Sequence, residues 1–213
     1  MPKANLLACL YRFEYNKKRV LEKRFEYWRL YMSTQLLQTA DEELRLHSVK
    51  FTMDDIARKL RMSKSTLYQQ ASSKEALIRM VCEEAMRQFL EEKERIISSE
   101  ANVKEKLLQY CKLFVDTFWR LPDGVYKDLE IHYSQIWNDW FDFRLQQFEA
   151  MMDLLKEGVT QGSFREVNLN VLRMILITST KNLTDPVFLK EQNMTGSDVM
   201  RVLEEIILKG IEK

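Results

Sequence analysis

Lys64, Ser65, Thr66 and Gln69 put an ammonium group, two hydroxyls and a carboxamide into one stretch that reads as a single short helix. Such groups suit recognition rather than bond breaking. A lysine can read guanine or hold a phosphate, and a glutamine can pair with the edge of adenine. Thr52 and Lys74 stand at the predicted starts of the two flanking helices, where unpaired backbone N–H groups and the helix dipole attract phosphate. The competing reading of these six residues is a solvated helix face, with Thr52 as a helix cap and Lys74 as a surface charge. No nucleophile beside a base, no metal-spaced His/Cys set and no phosphate loop occurs in the chain, so the sequence points away from an enzyme. The Asp54-Asp55 pair is explained by the preference of acidic side chains for a helix N-terminus.

The elements that must carry these residues follow from caps and apolar spacing. Thr52 precedes a helix over about 53–60, with Asp55 three residues on as its capping partner. Arg61-Met62 breaks the pattern. Ser63 opens a second helix, over about 63–70, that holds Leu67 inward. Ser72 or Ser73 starts a third. Two short helices joined this tightly form a helix-turn-helix, whose second helix fits the major groove of DNA. A preceding helix over about 33–47 carries Leu36, Leu37, Ala40 and Leu44 on one face. The third runs to about residue 98, long enough to join a head to a body.

Composition supports an all-α chain. Of 213 residues only five are Gly and three are Pro, while Leu, Glu, Lys, Met and Gln are abundant. The formal net charge is +1, but by position it is about +5 over residues 1–31, about +2 over 32–80 and about −6 over 81–213. The basic charge lies toward the end that would meet phosphates. Cys9, Cys82 and Cys111 are odd in number and widely spaced, which indicates neither a disulfide framework nor a zinc site. They fit a reducing cytoplasm. No apolar run reaches transmembrane length, and no cofactor motif appears, so neither a membrane nor a cofactor is expected.

Beyond the head, helices are expected over about 103–120, 125–138, 140–160, 168–183 and 197–211. Leu121-Pro122-Asp123-Gly124 marks a turn, Gly158 or Gly162 closes the helix over 140–160, and Thr184-Asp185-Pro186 interrupts the chain before the last helix, which Thr195 or Ser197 caps. The helices over 168–183 and 197–211 have apolar faces too broad for one partner.

Residues 51–57 (Phe-Thr-Met-Asp-Asp-Ile-Ala), 62–68 (Met-Ser-Lys-Ser-Thr-Leu-Tyr) and 73–77 (Ser-Lys-Glu-Ala-Leu), with their spacing, resemble the tetracycline-repressor (TetR) family of bacterial transcription regulators. The resemblance is specific over about 36–80 and weaker around the turn at 161–165. It implies an all-α fold in which a three-helix DNA-binding head (32–78) precedes a helical effector-binding and dimerisation domain (79–213). It implies that Ser63, Thr66 and Tyr68 contact phosphate or bases, that the last two helices pair with those of a second subunit, and that a palindromic operator is released when a small-molecule effector binds. Tyr110, Phe114, Phe118, Tyr133, Trp137 and Phe141 are the candidate pocket lining, although aromatic residues at helical spacing also build plain cores. An effector-independent DNA-binding protein of the same fold, nucleoid- or division-associated, is the alternative.

Three positions depart from the family pattern. Arg61 stands where glycine is common in the turn, Ser65 where glycine is common in the recognition helix, and Gln70-Ala71 where Tyr-Phe is usual. Residues 1–31 are either a DNA-contacting arm, an accessory helix, or a leader ahead of a start at Met32. The last reading arises because the codons of Trp28-Arg29, TGG followed by AGG as one arginine codon, can contain GGAGG, a ribosome-binding sequence, at a suitable distance from Met32.

Overall fold

The computed structural model describes residues 34–211; the proposals for residues 1–31 lie outside them. Helix α1 spans Thr34–His47 and is followed by a single 3₁₀ turn, Ser48–Lys50. Then come α2 (Met53–Lys59), α3 (Lys64–Gln70), α4 (Lys74–Ile97), α5 (Val103–Phe118), α6 (Asp123–His132), α7 (Ser134–Thr160), α8 (Leu169–Leu183), α9 (Pro186–Gln192) and α10 (Gly196–Ile211). Helices α1 to α3 and the start of α4 form the head. Helix α4 continues into the body and packs on both α1 and α5.

Local chemistry sets most of the boundaries. Thr52 Oγ1 accepts from the Asp55 N–H, and the Asp55 carboxylate accepts from the Thr52 N–H at 2.9 Å, a complete capping box. Asn102 and Glu105 repeat the device at α5. Ser63, Ser73 and Asn168 cap α3, α4 and α8 through single side-chain acceptors. At α10 the cap is Thr195, whose hydroxyl accepts from the Asp198 N–H at 3.2 Å.

The body differs from the sequence expectation in two places. Asp123 and Gly124 are helical residues behind Pro122, not a turn, and the break expected near residue 139 falls at Tyr133. Tyr133 leaves helical geometry at φ −139°, and residues 134–160 run on as one helix. No glycine or proline marks that break. The segment 184–186 does not merely interrupt. Asp185 caps α9, accepting from the Val187 N–H at 2.9 Å, and Pro186 takes its first turn, where a missing N–H costs nothing.

An aromatic core joins α4, α5 and α7. The Phe114 ring lies 4.8 Å from Phe118 and 5.0 Å from Phe148, and Phe89 meets Tyr110 and Phe143 edge to face and Phe118 at a tilt. The Tyr110 hydroxyl donates to the Gln147 carbonyl at 2.6 Å, which satisfies a phenol that is fully buried. Helix α7 ends with Gly162 at φ 75°. Gly158, one turn earlier, lets the buried Phe164 ring approach the helix; a Cβ there would lie 2.1 Å from the ring. The chain then turns so that the Arg165 N–H donates to the last carbonyl of α10, Ile211 O, at 3.0 Å.

Candidate nucleic-acid interface

The head is pinned around Leu36, Leu44, Ile56, Leu67 and Leu77, all buried. Leu67 is the only fully inward residue of α3, so Lys64, Ser65, Thr66, Tyr68 and Gln69 are all left exposed. Seven residues make two turns of helix. Committing one to the core leaves the rest free for a ligand surface.

The turn before α3 is a Schellman motif. The Arg61 N–H donates to the Arg58 carbonyl at 3.2 Å, and the Met62 N–H donates to the Ala57 carbonyl at 3.0 Å. The motif needs a left-handed residue, usually glycine. Arg61 adopts φ 52°, so the arginine is held in the conformation that glycine tolerates best.

Charge is already engaged at this surface. Lys64 Nζ lies 2.6 Å from Asp54 Oδ2, a bridge from the first residue of α3 to the first turn of α2. The bond to Asp54 raises the lysine pKa. Asp55 is held below the usual carboxylate range by its hydrogen bonds from Thr52 and, more weakly, by Arg58. The roles of the acidic pair are therefore divided: Asp55 caps, and Asp54 holds Lys64. Asp54 was missed as an interface residue by sequence reasoning, and its ten-residue separation from Lys64 spans two helices, so no single-helix spacing reveals it.

The other expected contact residues are placed as follows. Thr52 is exposed while capping α2. Ser63 caps α3, and its hydroxyl lies 2.8 Å from that of Thr66. Lys74 points back into the head, donates to the Val49 carbonyl and sits 4.9 Å above the Phe51 ring; burial lowers its pKa. Gln70 turns its Oε1 inward, where no described residue bonds it, and Ala71 is buried against the head core.

Head and body are tied by polar contacts. Arg120 pairs with Asp41 at 2.6 Å, Arg45 Nη1 donates to the Arg120 carbonyl at 2.6 Å, Ser48 Oγ donates to Asp128 Oδ2 at 2.6 Å, and Arg79 pairs with Asp139 at 2.7 Å.

The residues expected to line a ligand pocket divide into two groups. Tyr110, Phe114 and Phe118 are buried in the aromatic core, while Tyr133, Trp137 and Phe141 lie half-buried along the start of α7. Of the six, only Phe114 lines the partly open apolar void between α5, α7, α8 and α10. The rest of that lining is mostly aliphatic and methionine side chains, such as Met151, Leu176, Met200 and Leu203, which carry no distinguishing sequence signal, together with Cys111, Phe148 and Glu204.

Residues 36–81 match the family described as bacterial regulatory proteins, tetR family. The match covers the head, which is similar to the DNA-binding domain of that family. The chain is 25% identical over 181 residues to the HTH-type transcriptional regulator YvaF of Bacillus subtilis (strain 168), covering 84% of this chain and 95% of that protein. Among solved structures, a TetR/AcrR-family regulator from Thermobifida fusca YX-ER1 aligns with a TM-score of 0.60 at 20% identity, covering 84% of this chain and 98% of that one. FadR of Bacillus subtilis, in complex with stearoyl-CoA, aligns at 0.54 and 22% identity, covering 84% and 98%. The ketosteroid transcriptional regulator KstR2 of Mycobacterium tuberculosis aligns at 0.56 and 20% identity, covering 85% and 96%. The family match and the relatives are those of DNA-binding transcriptional regulators. Among the described residues no helix is long and apolar enough to cross a membrane, and no group of acidic, His and Cys side chains could hold a metal ion.

Proposed function

We propose that this regulator is a homodimeric repressor, acting in the cytoplasm, that leaves a palindromic operator when an apolar small molecule binds its body. The observation that carries DNA reading is the outward row on α3: Lys64, Ser65, Thr66, Tyr68 and Gln69 exposed around one inward Leu67. Lys64, Gln69 and Thr66 are the base-edge candidates. Ser63, Ser65, Tyr68 and Thr52 would hold phosphates. Lys74 is committed to the Val49 carbonyl, so its contribution to phosphate binding is a field rather than a contact.

Dimerisation is supported by the apolar faces of the last long helices. Val171, Met174 and Ile175 of α8, and Val202 and Ile206 of α10, are exposed large hydrophobic side chains. They lie at i, i+3, i+4 and i, i+4 spacing; Leu176 is buried on the far side of α8, and Leu203 is buried at the edge of the exposed stripe of α10. Clustered exposed apolar residues mark an interaction surface. A two-fold axis there would present two α3 helices to successive major grooves.

An apolar effector is supported by the void, whose lining is almost wholly apolar. Among the fold relatives, FadR of Bacillus subtilis is seen in complex with stearoyl-CoA, whose acyl tail is apolar. Release would follow a population shift, in which the effector favours a body shape whose ties to the head space the α3 helices wrongly for DNA.

Fluorescence anisotropy with the DNA upstream of the protein's own gene tests the reading. Binding at least tenfold tighter than to a scrambled duplex is expected. Equal affinity for both would overturn it.

A further inference from the structure

Arg144 of α7 is 7% exposed and pairs with no described carboxylate. Its guanidinium lies 5.2 Å from the Trp119 ring and 4.9 Å from the Phe141 ring, and its Nε is buried without a hydrogen-bond partner. Trp140 Nε1 and Arg120 Nε, on the same two stretches of chain, are also buried donors without partners. Burial moves the Arg144 pKa down to about 10, the nearby Tyr126 opposing the shift, so at neutral pH the group remains a cation. Ring faces attract a cation but do not replace a counter-ion, and an unpaired buried charge is a standing cost to the fold.

The position of Arg144 relative to the void gives that charge a use. Arg144, Phe148, Met151 and Leu155 follow one another at helical spacing on one buried face of α7, and the last three line the void. Arg144 is therefore one turn, about 6 Å along the axis, beyond the end of the void. Trp119 lies between them, its ring 6.0 Å from that of Phe114, itself part of the void lining. Gly196, the first residue of α10, leaves that indole its place; a Cβ there would lie 2.4 Å from its Cδ1. The void is small, about 30 Å³, against the length of a ligand with a tail. An occupant of any length must part α10 from α5 and α7, which would move Trp119 off the guanidinium.

Resting on the effector reading above, we propose that Arg144 recognises the acid group of the effector, an organic carboxylate with an apolar tail. The tail fills the void between α5, α7, α8 and α10, and the carboxylate takes the paired N–H groups of the guanidinium. The cage of Trp119 and Phe141 suits a compact head. A bulkier anion, such as the nucleotide of an acyl-CoA, has no place in it.

Titration calorimetry with decanoate, decanol and decanoyl-CoA tests this. Wild-type protein is expected to bind decanoate at least tenfold more tightly than decanol. Arg144→Met should bring the two within about twofold by weakening decanoate alone. Arg144→Lys, which keeps the charge and loses the planar fork, should fall between them, and it carries the test if Arg144→Met does not fold. Equal binding of acid and alcohol by wild type, an acid preference surviving in Arg144→Met, binding of decanoyl-CoA alone, or binding of none of the three would each overturn the proposal. Operator release measured on the same samples separates the two readings. Arg144-dependent binding of decanoate that leaves operator bound overturns the effector reading and not the site. Release by decanol as readily as by decanoate overturns the site and not the effector reading.

Discussion

Lys64 and Asp54 form a 2.6 Å ion pair between the first residue of α3 and the first turn of α2, so the best-placed cation of the recognition helix is already bound to an anion of its own head. Both side chains are well exposed, and exposed pairs are weak. The pair therefore orients Lys64 more than it stabilises the head. On DNA, a phosphate or a guanine edge competes with Asp54 for the ammonium group. Asp54→Asn is expected to tighten binding to operator and non-operator DNA alike, several-fold at low salt, because it removes a negative charge beside the groove. Lys64→Ala is expected to weaken binding and, if the lysine holds a phosphate, to lower the slope of log K against log salt by about 1. Anisotropy titrations at several salt concentrations read both. A looser complex for Asp54→Asn would show that Lys64 needs Asp54 in place to bind.

Arg61 gives a test of strain. Its φ of 52° is the left-handed geometry demanded by the two hydrogen bonds that close the turn. A side chain in this region costs about 1 kcal/mol or more, partly offset because glycine loses more freedom on folding. Arg61→Gly should raise stability by about 0.5–1 kcal/mol, seen as a higher urea midpoint with an unchanged slope. A lower midpoint would mean that the arginine makes a contact worth more than its strain.

The head was legible in the sequence because its devices are local. A Thr or Ser with an acid or an N–H three residues on gives the caps at Thr52, Ser63 and Ser73, and each cap fixes a boundary. The body was less so. The break at Tyr133 has no glycine or proline to announce it, and Asp185-Pro186 is a helix-start pair that its turn-forming residues conceal. The pocket was least legible. Aromatic residues three and four apart look alike whether they fill a core, as Tyr110 and Phe118 do, or line a void, as Phe114 does. What distinguishes them is the arrival of α8 and α10 from far along the chain.

Asp123 makes a pH-dependent prediction. Its carboxylate, half-buried at the start of α6, accepts from the Gly196 N–H at 3.3 Å. Burial raises its pKa above the usual carboxylate range, the Gly196 bond opposing and Asp198 adding to the shift. A carboxyl group with a raised folded pKa favours the folded state while protonated. Its contribution is complete below the unfolded pKa and is lost as pH rises through the folded one. Asp123→Asn keeps an acceptor for Gly196 without that loss. The variant should therefore gain on wild type as pH rises from about 3.5 to 7. Thermal or urea melts across that range measure the difference; a gap that shrinks with rising pH would refute the sign.

The apolar stripe on α8 and α10 predicts a coupled loss. Met174 and Ile206 are each 63% exposed, on helices that also supply Leu176 and Leu203 to the core. A charge at either site is free in a monomer and buried in a dimer, where an unpaired carboxylate is strongly disfavoured. Met174→Glu and Ile206→Glu should leave the melting transition of the subunit largely unchanged and shift sedimentation velocity from dimer to monomer at micromolar concentration. The same variants should lose about 10²–10⁴ in affinity for a full palindrome, because the second head no longer binds at high effective concentration. Their affinity for an isolated half-site should match that of wild type. Dimers that survive both substitutions would move the interface elsewhere and leave the α8–α10 face needing another partner.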